Sequence, residues 1–87
     1  MTLEEIKEIL VENGYENSVV FENPDYADAF VGFTHDGKAV YDYDKMIDCL
    51  KAEEDMDYDD AVDFISYNTM RALPYMGDMA PVITIFV

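Results

Sequence analysis

Positive charge is scarce in this chain: four lysines and a single arginine, Arg71, stand against twenty aspartates and glutamates in 87 residues, a formal charge of −15. Nucleic acid and anionic membranes attract clusters of Lys and Arg and repel a body charged in this way, so neither is expected as a direct ligand. Cysteine is limited to Cys49, which excludes an internal disulfide and agrees with a reducing compartment. With one histidine besides, His35, the chain lacks the ligands of a zinc site. No stretch approaches the ~18 apolar residues of a membrane span. The opening Met1-Thr2-Leu3-Glu4-Glu5 has neither the basic region nor the apolar run of a secretory signal, and a cytoplasmic protein is expected. Repeats, low-complexity tracts and linkers are also missing.

What is present suits a folded body. Hydrophobic residues make up 51% of the chain and aromatics 14%, which separates it from disordered acidic tails. One domain spanning residues 1–87 is expected, large enough to bury roughly 60 to 65% of its unfolded surface.

Thr2 and Glu5 form a capping-box pattern, and Leu3, Ile6, Ile9 and Leu10 recur at helical spacing up to Asn13-Gly14, predicting a helix over 3–13. Val19-Val20-Phe21 reads as a first strand ended by the turn signal Asn23-Pro24-Asp25. Residues 29–43 read as a hairpin turning at Asp36-Gly37, with a two-residue type I′ turn. That register puts Val31, Phe33 and Val40 on one face and Phe30, Tyr41 and Tyr43 on the other. Asp42 or Asp44 can cap a second helix with Met46, Ile47, Cys49 and Leu50 as its apolar stripe, running to about Glu53. Asp57 can cap a third, with Tyr58, Ala61, Val62, Ile65, Thr69 and Ala72 on one side, stopping before Pro74. The nearly all-apolar Val82–Val87 suits a strand in the middle of a sheet. The expected fold is α+β in the order α-β-β-β-α-α-β: a small three- to four-stranded mixed or antiparallel sheet with helices packed mainly on one face. One-sided cover leaves Phe30, Tyr41 and Tyr43 as a candidate face for a homodimer.

Residues 42–63 hold ten of the twenty acids, and Glu53 to Asp60 pack six carboxylates into eight positions. Asp57, Asp59 and Asp60 suit the start of a helix, whereas Glu53, Glu54 and Asp55 crowd the end of another, where the dipole disfavours them. The surface expected to meet a partner comprises Asp48, Glu53, Glu54, Asp55, Asp57, Asp59, Asp60 and Asp63. Asp55, Asp57 and Asp59 begin like a calcium-binding loop, but glycine is replaced by Asp60 at its sixth position and glutamate by Ser66 at its twelfth. A weak Ca²⁺ module on Asp55, Asp57, Asp59 and Asp60 is the least favoured reading, and no cofactor or metal is expected.

Catalytic patterns fare no better. Asp42-Tyr43-Asp44 resembles the start of an aspartate-nucleophile phosphatase, but Met46 stands where Thr or Val is usual, and the domain is too short. Cys49 with His35 as its base would need two residues expected at a helix stripe and a hairpin tip to meet. Arg71 is expected to pair with carboxylates and fix its helix against the sheet. An enzyme is therefore not expected.

The run Val40-Tyr41-Asp42-Tyr43-Asp44-Lys45-Met46, with Phe64-Ile65, Tyr67-Asn68-Thr69 and Arg71-Ala72-Leu73-Pro74-Tyr75, resembles short acidic proteins of unknown function encoded by Gram-positive gut bacteria and their phages. The likeness covers about residues 19–85. In that family the helix junction often holds a glycine, where this chain has Asp55-Met56-Asp57. No activity follows from the resemblance; its phage-linked distribution implies a small inhibitor of a host nucleic-acid-binding protein. The leading expectation is thus a non-enzymatic interaction module or inhibitor that presents an acidic, DNA-mimic-like patch to a basic partner. The alternative is a structural or oligomeric protein whose charge only keeps it soluble.

Overall fold

A computed structural model describes residues 1–87, and its architecture is α+β. Helix α1 (Leu3–Glu12) starts at the Thr2 capping box: the Glu5 N–H donates to Thr2 Oγ1 at 3.2 Å, and the Thr2 N–H donates to Glu5 Oε1 at 3.1 Å. Its Ile6 and Leu10 are buried, as the helical spacing requires. Asn13 ends the helix, and Gly14 follows with a left-handed φ of 82°.

Strands β1 (Phe30–Phe33) and β2 (Ala39–Asp42) form the antiparallel hairpin, and β3 (Val82–Thr84) adds to β2 in parallel, giving the order β1-β2-β3. Four details depart from expectation. Val19–Phe21 forms no strand; it is an irregular segment that buries Phe21 against the Tyr41 ring, with centroids 4.8 Å apart. The hairpin loop has three residues, His35–Gly37, because the Thr34 N–H donates to the Lys38 carbonyl at 2.8 Å and the Gly37 N–H to the Thr34 carbonyl at 2.9 Å. That one-residue slip sets Phe33 opposite Ala39, and an irregularity at Val31 then sets Phe30 opposite Tyr41, so Phe33 joins the Phe30 and Tyr41 face. Finally, β3 lies at an edge: its backbone pairs with β2 alone, and Ile85, Phe86 and Val87 beyond it are exposed.

The Tyr41 face is covered by the irregular segment after α1, where Tyr15 meets Phe33 edge-on at 5.1 Å. Gly37 belongs to this contact. Its φ is +93°, and a Cβ there would lie 2.5 Å from the Tyr15 ring, so only glycine fits.

Helix α2 (Tyr43–Glu53) buries Met46, Ile47, Cys49 and Leu50, and packs on the turn Ala27–Ala29 and on the next helix. That helix is a composite rod: α3 (Tyr58–Phe64), a π-helical stretch (Ile65–Thr69), α4 (Met70–Ala72) and a 3-10 turn (Leu73–Tyr75). The π stretch adds one residue to the repeat. Ala61, Ile65 and Thr69 therefore stay buried as expected, but beyond them Leu73 and Met76 pack on the core and Ala72 is exposed. No helix is long and apolar enough to cross a membrane.

Candidate functional site

The acidic surface is built by two aspartates acting as caps. Asp42 Oδ1 accepts from the N–H groups of Asp44 at 2.9 Å and Lys45 at 3.4 Å, which starts α2 immediately after β2. With Met46, Ile47, Cys49 and Leu50 turned into the core, Asp44 and Asp48 face solvent. Asp57 Oδ1 accepts from the Asp60 N–H at 2.8 Å and starts α3. Burial of Ala61 and Ile65 then turns Asp59, Asp60 and Asp63 outward.

The junction between these helices is tight. Asp55 adopts φ 54°, the left-handed conformation that glycine most often supplies at a helix end. Met56 follows with its N–H 3.4 Å from the Leu50 carbonyl, and its side chain packs on the core. An aspartate therefore makes the turn without a glycine, and Glu53, Glu54 and Asp55 project at the C-terminal end of α2.

All eight carboxylates expected to meet a partner, Asp48, Glu53, Glu54, Asp55, Asp57, Asp59, Asp60 and Asp63, are exposed. None is in an ion pair. The chain's two ion pairs lie elsewhere, between the Met1 amino group and Asp28 and between Lys7 and Glu22. Arg71 is likewise exposed and unpaired, so it does not fix its helix against the sheet as its residue type suggested. No three of the His, Cys, Asp and Glu side chains gather as a metal ligand set. Cys49 is buried in α2, and burial raises its thiol pKa, with the nearby Glu53 and Asp28 carboxylates adding to the effect. His35 is exposed at the hairpin tip, and no hydrogen bond joins the two.

Two features differ from the sequence reading: the place of Tyr58 and the face expected from Phe30, Tyr41 and Tyr43. Tyr58, placed on the buried side by its spacing, is 57% exposed between Asp57 and Asp59. Its capping neighbour puts it in the first turn, ahead of where α3 meets α2, a geometry that periodicity does not encode. Conversely, Phe30, Tyr41 and Tyr43 form no shared surface. Tyr41 is wholly buried with its ring against Phe21 and Phe30, while Phe30 and Tyr43 are half-buried. Cover from Phe21 takes Tyr41 out of this expected face, and Tyr43 lies in the first turn of α2 instead of on β2.

Comparison with protein-family models, curated proteins and solved structures finds no match for the chain.

Proposed function

We propose that this chain is a non-enzymatic interaction module that offers the carboxylates of α2, α3 and their junction to a basic protein, occupying the Lys and Arg side chains that would otherwise hold nucleic-acid phosphates. The supporting observation is the set of exposed, unpaired carboxylates from Asp44 to Asp63, with Tyr58 exposed among them. An unpaired carboxylate keeps its full capacity for a bidentate guanidinium, and a tyrosine ring beside it can stack on an Arg or Lys stem. Binding of this kind rests on charge, so it weakens steeply with salt.

A pull-down of bacterial basic proteins at about 50 mM and then at about 200 mM salt tests the reading. Capture is expected at the lower salt, release at the higher, and displacement by added DNA. The variant Asp48→Asn/Asp59→Asn/Asp60→Asn/Asp63→Asn should capture far less, since it removes charge while sparing both capping aspartates. Capture unchanged by that variant, or no basic protein held at low salt, would leave charge as a solubility device only.

A further inference from the structure

Away from the acidic surface, a cleft of about 200 Å³ lies between the Phe21–Tyr26 segment and the long helix. Phe21, Pro24, Phe64 and Met76 give it apolar walls. Two departures from regular backbone meet there: Tyr26 is left-handed at φ 48°, rare for a bulky residue, and Thr69 ends the π stretch. They are tied together by a hydrogen bond of 2.6 Å between Tyr26 Oη and Thr69 Oγ1. Both side chains line the cleft, at 0% and 7% exposure.

Each hydroxyl has the other as its partner, yet the pair keeps one donor to spare. Two hydroxyls carry two hydrogens, their mutual bond uses one, and neither oxygen has another protein partner. The phenol is the stronger acid and the better donor, which leaves the Thr69 hydrogen for the cleft. A donor at an apolar wall is favoured to find an acceptor, so an acceptor atom brought into the cleft gains a hydrogen bond there. Size and charge narrow the occupant further. An apolar cavity of about 150 Å³ holds one benzene ring, so this cleft admits a single ring with a small substituent. No Lys or Arg lines it and Glu22 does, within a chain of charge −15, which disfavours an anion.

We infer that the cleft binds a neutral single-ring aromatic molecule carrying one acceptor atom, which accepts a hydrogen bond from the spare hydroxyl hydrogen of the Tyr26–Thr69 pair. The site is independent of the acidic surface.

Amide NMR titrations with three probes test it: acetophenone, toluene (the ring without an acceptor) and benzoate (the ring with an anion). Acetophenone should bind saturably, shifting amides of residues 21–26 and 64–76, about tenfold tighter than either other probe, as expected for one well-made hydrogen bond. The double variant Tyr26→Phe/Thr69→Val removes both hydroxyls and keeps the shape, so it should fold and bind acetophenone and toluene equally. Ala72→Leu, at an exposed lining position, should block all three probes. Absence of saturable shifts in the unmodified protein, equal affinity for toluene or benzoate, or shifts that map elsewhere would each overturn the assignment, and these need no variant.

Discussion

Asp55 turns the chain between α2 and α3 in a left-handed conformation that its side chain disfavours. A left-handed φ costs an L-residue about 1–2 kcal/mol, less for Asp than for most, whereas glycine adopts it freely. Asp55→Gly is expected to raise unfolding stability by about 0.5–1 kcal/mol after allowing for the greater freedom of glycine in the unfolded chain. Asp55→Asn removes the same charge but keeps the Cβ, so the difference between the two urea midpoints isolates the backbone effect. Tyr41 sets a limit at high pH. Burial pushes its hydroxyl up to about 12, with the bond donated by the Phe21 N–H pulling the other way. The unfolded hydroxyl ionises near pH 10, so the stability Tyr41 contributes is intact below that value and is lost as pH rises through about 12, by up to about 1.4 kcal/mol per unit. Urea unfolding at a series of alkaline pH values should show this slope, reduced in Tyr41→Phe. Some slope should remain, because burial also raises the hydroxyl of Tyr26. At neutral pH the same variant should lose about 1 kcal/mol, since the Phe21 N–H then lacks a partner.

Elements that are closed by a local signal were legible in the sequence. Thr2 with Glu5, Asp42 and Asp57 each cap the helix their neighbours suggested, because a cap needs only a side-chain oxygen and an N–H two or three residues away. Removing such a cap has a definite consequence. Asp57→Ala should destabilise the protein by about 1 kcal/mol, while Asp57→Asn, which still accepts from the Asp60 N–H, should lose only a few tenths; thermal melts of the two distinguish capping from charge. The elements misread are those decided by distant partners. Val82–Val87 has the composition of a central strand, yet β2 takes the centre because it alone pairs with both the preceding hairpin strand and the strand returning after the helices. A single extra residue in the hairpin loop changed which side Phe33 occupies, and the π stretch exchanged Ala72 for Leu73 and Met76, and both effects lie below the resolution of a hydrophobic pattern. The candidate site followed the same division: its carboxylates were visible as composition, but the exposure of Tyr58 and the burial of Tyr41 depended on packing.

Across the whole molecule, a charge of −15 acts on folding and on docking with opposite dependence on salt. The compact state brings like charges together, and with two ion pairs in the chain few of them are neutralised, so self-repulsion opposes folding. Added salt shortens the screening length from about 10 Å at 0.1 M to about 3 Å at 1 M and relieves that repulsion, so the unfolding midpoint should rise with NaCl. A basic partner held by the same carboxylates is released over the same range. The two trends separate the explanations of a lost interaction: a chain that unfolded would lose binding together with its thermal midpoint, whereas a chain that docks by charge loses binding while becoming more stable. The variant Asp48→Asn/Asp59→Asn/Asp60→Asn/Asp63→Asn should therefore melt higher than the unmodified chain at low salt, converge with it at high salt, and bind a basic protein more weakly throughout. Circular-dichroism melts and binding isotherms taken in the same buffers measure both quantities. A melting midpoint that fell with salt would mean that attractive pairing, not repulsion, dominates the surface, and would remove the electrostatic basis for assigning docking to α2, α3 and their junction.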